Sequence, residues 1–148
     1  MRQLELTETA RIMTGTVNKT EVLPIKDSSD VVFVRQRVRV WATNLKLSLV
    51  DQTKIVTAAS ELGRNTLEHG GGGELEIAEV VEGSRKGIRL SFSDKGPGIA
   101  DIKQALTDGF TSKQGMGLGL GGSKRLMNEF EIKTAPGEGT TVIVTRWK

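Results

Sequence analysis

The stretch "ELGRN" (residues 61–65) sets a carboxylate and a carboxamide four residues apart inside an apolar helical pattern. Side chains at i and i+4 lie one above the other on a helix, so Glu61 and Asn65 share a stripe. Around them Ile55, Ala58, Ala59 and Leu62 mark a core side, predicting a helix from about Asp51 toward Leu67 that "HGGGG" (69–73) ends. Glu61 and Asn65 are expected beside the apolar stripe, at the border of the core. By themselves they fit a solvated helix face. They also fit a site where the carboxylate accepts a proton from a hydroxyl or a water and the carboxamide oxygen ligates Mg²⁺.

Downstream of that helix the composition changes. Of 18 glycines, 17 lie at or after Gly63, so the first half reads as packed helices and the second as strands with functional loops. "ELEIAEVV" (74–81) alternates as a strand, "EGSRKG" (82–87) reads as a hairpin loop and "IRLSFSD" (88–94) as the returning strand. "DKGPGI" (94–99) then places Asp94 at a strand end, with Gly96 and Gly98 flanking Pro97. This fits a plain turn as well as a backbone that comes close to a flat ligand. "GMGLGLGG" (115–122) contains a literal G-x-G-x-x-G at Gly117, Gly119 and Gly122, but no strand precedes it, which excludes a dinucleotide-binding fingerprint. What remains is a glycine-rich stretch feeding a helix N-terminus, a place for phosphate, with Lys113 just before it as a point charge.

Upstream, "EVLPI" (21–25) reads as a short strand whose Pro24 argues for a sheet edge. Ser28 or Ser29 is placed to cap a helix beginning near Asp30, with Val34, Val38, Trp41 and Leu45 as its buried face. "EIKTA", the turn "PGEG" and "TTVIVTRW" close the chain as a hairpin. The resulting order predicts a two-layer α/β sandwich, a mostly antiparallel sheet with helices on one face. Residues 1–16 are read as a tail or edge segment, and 17–148 as the domain.

Composition excludes several classes. With no cysteine and one histidine, His69, neither a disulfide framework nor a multi-histidine or thiolate metal site is available. Interspersed charges, a net charge of +3 and only 4% aromatics argue against a nucleic-acid module. No apolar run approaches the roughly 18 residues of a membrane span. No membrane partner and a cytoplasmic location are therefore expected.

Taken together, the order and spacing of these pieces resemble the GHKL ATPase superfamily with its Bergerat nucleotide site, over roughly residues 30–147. "ELGRN" is similar to its N box, "DKGPGI" to its D-x-G-x-G box and "GMGLGLGG" to its second glycine box. Residues 100–114 stand in the place of the ATP lid, and "GEGTT" (137–141) resembles a later Gly-Thr element. The resemblance implies that Asp94 accepts a hydrogen bond from the adenine amino group, supported by Thr140, with Gly96 and Gly98 along base and ribose. It implies that Asn65 holds Mg²⁺, that Gly115, Gly117, Gly119 and Lys113 serve the phosphates of ATP, and that Glu61 is the general base. His69 is read as local structure.

Within the superfamily, "VDQTKIVTAASELGRN", "TDGF" and "GGSKRLMNEF" resemble the stand-alone serine/threonine protein kinases of the anti-sigma regulatory type, nearest the switch kinases of the stressosome. That group implies a STAS-domain protein as substrate, with a PP2C-type phosphatase or a sigma factor as a further partner. A direct anti-sigma factor and a non-catalytic ATP-binding module stay open as alternatives.

Overall fold

The computed structural model describes residues 6–9, 13–106 and 119–148. Strand β1 (Leu6–Thr9) comes first, then β2 (Thr16–Ile25), helices α1 (Ser28–Asn44) and α2 (Leu49–Glu68), and strands β3 (Gly73–Glu82) and β4 (Arg85–Asp94). Short α3 (Ile102–Ala105), α4 (Gly119–Leu126), β5 (Glu129–Thr134) and β6 (Thr140–Trp147) follow. All pairings are antiparallel and the sheet order is β1-β5-β6-β4-β3-β2. The expected α/β two-layer sandwich is what the chain forms.

The core explains the layering. Leu75 and Ile77 of β3, Ile88, Leu90 and Phe92 of β4, Val142 and Val144 of β6, and Phe130 and Ile132 of β5 are buried against Val34 and Val38 of α1 and Ile55, Ala58, Ala59 and Leu62 of α2. Each such valine, leucine, isoleucine or phenylalanine, fully buried, contributes about 1.5–3 kcal/mol. The period of two along the strands therefore points one set of side chains at the helices. On the opposite face, Arg89 meets Glu129 at 3.3 Å and donates to Thr145 at 2.9 Å.

Several local expectations need correction. The cap of α1 is Asp27, not Ser28 or Ser29: its backbone is extended, and its carboxylate accepts the Asp30 amide at 3.0 Å and the Ser29 hydroxyl at 2.6 Å. Helix α2 begins two residues earlier than read, at Leu49, because Ser48 caps it through the Asp51 amide at 3.1 Å. The strand around "EVLPI" extends back to Thr16, and Pro24 does lie in an edge strand, paired only to β3. The hairpin loop shrinks to Gly83 and Ser84, since Glu82 and Arg85 still pair and Arg85 lies 3.9 Å from the Trp147 ring centre. Helix α4 starts inside the glycine run, at Gly119, rather than past it. Its Gly119, Gly121 and Gly122 are buried, and the helix packs against α2. Helix α3 has no periodic signal in four residues and was not anticipated. Among the described residues, no helix is long and apolar enough to cross a membrane.

Candidate nucleotide site

Asp94 ends β4, paired with Gly73 of β3 on one side and Thr140 of β6 on the other. A strand end between two neighbours fixes its backbone and leaves the side chain free to project past the sheet. Its carboxyl is half-buried, and that burial pushes its pKa above the ordinary aspartate range. The backbone amides of Gly96 and Thr140, and His69 nearby, pull it back down. The Gly96 amide donates to its Oδ1 at 2.9 Å.

The glycine run after α2 has a steric reason. A Cβ on Gly70 would lie 2.3 Å from both Cβ and Cγ of Asp94, and one on Gly96 would lie 2.6 Å from Gly70 Cα. Asp94 is thus seated against bare backbone. Gly98 has φ +78, and a Cβ there would meet the Ala135 carbonyl oxygen at 2.2 Å, so the loop after Asp94 can lie flat on the β5–β6 turn. Two hydrogen bonds hold it there, Ile99 N–H to Thr134 Oγ1 at 2.9 Å and Gly137 N–H to the Pro97 carbonyl at 2.7 Å. Thr134 also reaches Thr140 Oγ1 at 2.9 Å.

These elements enclose a cavity of about 280 Å³. Asn65 and Thr66 of α2 and its C-cap His69 form one wall, Asp94 and the loop from Pro97 to Asp101 another, and Gly119 and Leu120 of α4 a third. Leu62, Phe92 and Val142 contribute apolar surface. A mostly apolar slot with a few convergent polar groups is what a flat heteroaromatic ligand needs. Asp94 lines this cavity together with Gly119 and Leu120 of the first turn of α4, and a helix N-terminus favours negative charge.

Five of the expected site residues line this cavity: Asn65, Asp94, Gly98, Gly119 and Thr140. Gly96 does not. It backs Asp94 and packs on the His69–Gly70 backbone. Glu61 stands one helical turn from Asn65 and is also off the cavity wall. Its expected place at the core border is corrected, because it is 4% exposed. Helix α2 packs against α1 and α4 as well as the sheet, which widens its buried arc to include Val56, Gly63 and Thr66. Lys113, Gly115 and Gly117 lie outside the described residues.

Three contributors escaped the sequence reading. Thr66, buried at the cavity, looks like any helical threonine, and its hydroxyl is spent on the Leu62 carbonyl at 2.9 Å. Thr134 becomes visible only once the register Thr134↔Thr140 is known. His69, read as local structure, does cap α2 through its amide, but it also lines the cavity. Its spacing of four from Asn65 was the available signal.

Residues 50–148 match the family described as Histidine kinase-, DNA gyrase B-, and HSP90-like ATPase. The chain belongs to this ATPase family. Among its relatives, the Serine/threonine-protein kinase RsbT of Bacillus subtilis (strain 168) is 40% identical over 131 residues, covering 88% of this chain and 98% of RsbT. The Anti-sigma F factor of Clostridium novyi (strain NT) is 30% identical, covering 87% of this chain and 94% of that protein. In structure, the chain is similar to the RsbU and RsbW domains of a Mycobacterium tuberculosis protein, with a TM-score of 0.61 at 23% identity. That match covers 88% of this chain and 33% of the longer one, and it speaks for the fold.

Proposed function

We propose that this chain is an ATP-dependent serine/threonine protein kinase that phosphorylates a STAS-domain regulatory protein and switches partners in a sigma-factor stress pathway. The observation that carries the reading is the meeting of Asn65, Asp94, Gly98 and Thr140 on one apolar cavity beside the N-terminus of α4. Adenine fills the apolar slot with its amino group donating to the Asp94 carboxylate. Thr140, Thr134 and the Gly96 amide keep that carboxylate in place.

The residues present also fit a magnesium ion carried in with the nucleotide. Among the described residues no cluster of three acidic or imidazole ligands exists, and Asn65 offers one neutral oxygen whose side chain bonds no other described residue. Mg²⁺ characteristically takes one or two protein oxygens and fills its shell with phosphates and water. When bound, it supplies charge neutralisation on the phosphates. In this reading Gly119 serves the phosphates, together with Lys113, Gly115 and Gly117, which lie outside the described residues.

In the transfer, the hydroxyl oxygen of the substrate serine or threonine forms a bond to the γ-phosphorus. The bond from that phosphorus to the β–γ bridging oxygen breaks, and ADP leaves. The hydroxyl proton passes to the Glu61 carboxylate, one turn along α2 from Asn65. RsbT's description as a serine/threonine-protein kinase, at 40% identity, supports this reading. ATP as substrate assigns the protein to the cytoplasm, and a PP2C-type phosphatase is the second partner after release.

A second reading rests on the Anti-sigma F factors among the relatives: the same ATP site in a protein that sequesters a sigma factor. Incubation with γ-labelled ATP and either a purified STAS-domain protein or a purified sigma factor separates the two. Label on the STAS protein supports the kinase. Tight sigma-factor binding without transfer to any STAS protein sinks it.

A further inference from the structure

Helix α2 carries two basic residues, Lys54 and Arg64. Lys54 lies far back along the helix, where its charge helps to hold the Asp51 carboxyl low. Arg64 sits inside the turn from Glu61 to Asn65. It is partly exposed and pairs with no carboxylate among the described residues. Opportunity is not what is missing. Glu61 precedes it by three residues and Glu68 follows it by four, both spacings at which side chains meet on a helix. By contrast Arg37, Arg85, Arg89 and Arg146 each meet a carboxylate, at 2.7, 2.6, 3.3 and 2.7 Å.

The cavity beside this turn is short of positive charge. None of its described lining residues is a lysine or an arginine, and two of them, Asp94 and Asp101, are acidic. Glu61, buried one turn from Asn65, adds a third carboxylate. Mg-ATP is itself an anion, and in the transfer charge spreads over the γ-phosphoryl oxygens. Asn65, the expected metal ligand, is neutral. A cation at the phosphate end is what these residues lack.

Arg64 is placed to supply it. Seen down α2, His69, Asn65, Glu61 and Arg64 succeed one another round the helix at steps of roughly 40°, 40° and 60°. His69 and Asn65 line the cavity, so Glu61 stands between Asn65 and Arg64, and Arg64 takes the flank away from the adenine slot. Long helical side chains lean toward the helix N-terminus, which carries Arg64 back over the turn of Glu61. Glu61 is 4% exposed and Arg64 is not buried, so the guanidinium stays outside the carboxylate and leaves it free to act as a base.

We propose that Arg64 is a further catalytic residue, its guanidinium bonding the γ-phosphoryl oxygens of bound ATP on the acceptor side of Glu61. The planar fork suits two of those oxygens at once. As the acceptor oxygen bonds to phosphorus and the bond to the β–γ bridging oxygen breaks, Arg64 stabilises the charge on the phosphoryl oxygens. It exchanges no proton, which goes to Glu61. The rate effect rests on the kinase reading, whereas the phosphate contact rests only on ATP binding.

The test compares wild type with Arg64→Gln, which removes the charge, and Arg64→Lys, which keeps the charge without the fork. Thermal unfolding checks the fold, and Arg64→Met, another good helix former, takes the place of Arg64→Gln should that variant not fold. Calorimetric titration gives the affinities for Mg-ATP and Mg-ADP. Labelled transfer to a purified STAS-domain protein gives kcat and the KM for that protein. Arg64→Gln is expected to bind Mg-ATP at least about fivefold more weakly, with Mg-ADP held within about twofold. Its kcat should fall at least about tenfold, with the KM for the protein within about twofold. Arg64→Lys should lie between the two. A solvated or merely structural arginine leaves the preference for ATP over ADP where it was, so an unchanged preference in folded Arg64→Gln overturns the proposal whatever kcat does. A lost preference with wild-type kcat overturns the catalytic role, and a raised KM alone makes Arg64 an acceptor contact instead. Should the wild type transfer no phosphate, the kinase reading fails and the same ratio still decides. A lost preference for ATP then sustains the phosphate contact, and an unchanged one, or none in the wild type, overturns it.

Discussion

Gly70→Ala is the most pointed perturbation of the nucleotide site, because it touches no ligand. The added methyl would sit 2.3 Å from Asp94 Cβ and Cγ, where ordinary contact is 3.4–4 Å, so one side must yield by more than an ångström. Asp94 cannot slide along its strand, since β4 is paired on both sides at Gly73 and Thr140. Its carboxylate must swing away from the adenine position. Loss of a hydrogen bond to a charged acceptor costs about 1.5–3 kcal/mol, which weakens Mg-ATP binding roughly ten- to hundredfold. Overpacking adds a separate stability loss of about 1–3 kcal/mol. Gly71→Ala is the control: its φ is +72, but a Cβ there meets nothing within 4 Å. It should lose about 1–2 kcal/mol of stability through backbone strain and keep its ATP affinity. Calorimetric titration with Mg-ATP and urea unfolding measure both quantities on each variant. Wild-type affinity in a folded Gly70→Ala protein would refute the placement of Asp94 as the base-reading group.

Other expectations follow from the same geometry. GTP should bind at least roughly a hundredfold more weakly than ATP, because Asp94 would face guanine's carbonyl oxygen, and competition titration measures the ratio. Burial holds the Asp94 carboxyl above its unfolded pKa of 3.8, so the ionised form costs folding stability, and the stability linked to its proton is present below 3.8 and lost as pH rises through the folded pKa. Asp94→Asn should therefore make the nucleotide-free protein at neutral pH no less stable by thermal unfolding while it loses ATP binding. In the wild type, ATP affinity should begin to fall on acidification earlier than an ordinary aspartate would allow. Asp51 behaves in the opposite way: Arg146, 2.7 Å away, holds its pKa below 3.8, so its contribution is present above 3.8 and is lost as pH falls through the folded pKa. Asp51→Asn should cost about 1 kcal/mol at neutral pH and flatten the acid limb of a stability–pH curve.

What the sequence revealed and what it hid divide along physical lines. Periodicity exposed the cores of α1, α2 and β3–β6, because burial on one face leaves a pattern of 3.6 or 2 in the residue types. The ends were less legible: whether Asp27 or Ser28 caps α1 depends on one backbone dihedral, not on residue preference, since both types cap well. Asn65, Asp94, Gly98 and Thr140 could be named in advance from the family resemblance, whose motifs fix their types and spacing together, and they do line one cavity. The support behind them could not. Gly70 reads as part of a helix stop and Thr134 as an ordinary strand residue until the turn after α2 seats Gly70 against Asp94 and the sheet register sets Thr134 opposite Thr140. Glu61 was misplaced toward solvent because a helical pattern records one apolar stripe, and α2 is covered from three sides.

The central claim is that Glu61, buried one turn from the cavity, accepts the proton of a substrate hydroxyl. The most direct measurement is the rate of γ-phosphoryl transfer to the STAS-domain protein at saturating Mg-ATP, for wild type and Glu61→Gln, a substitution that keeps size and removes the base. Transfer is predicted to fall by about 10² to 10⁴ with ATP affinity unchanged. Transfer at the wild-type rate would contradict the account.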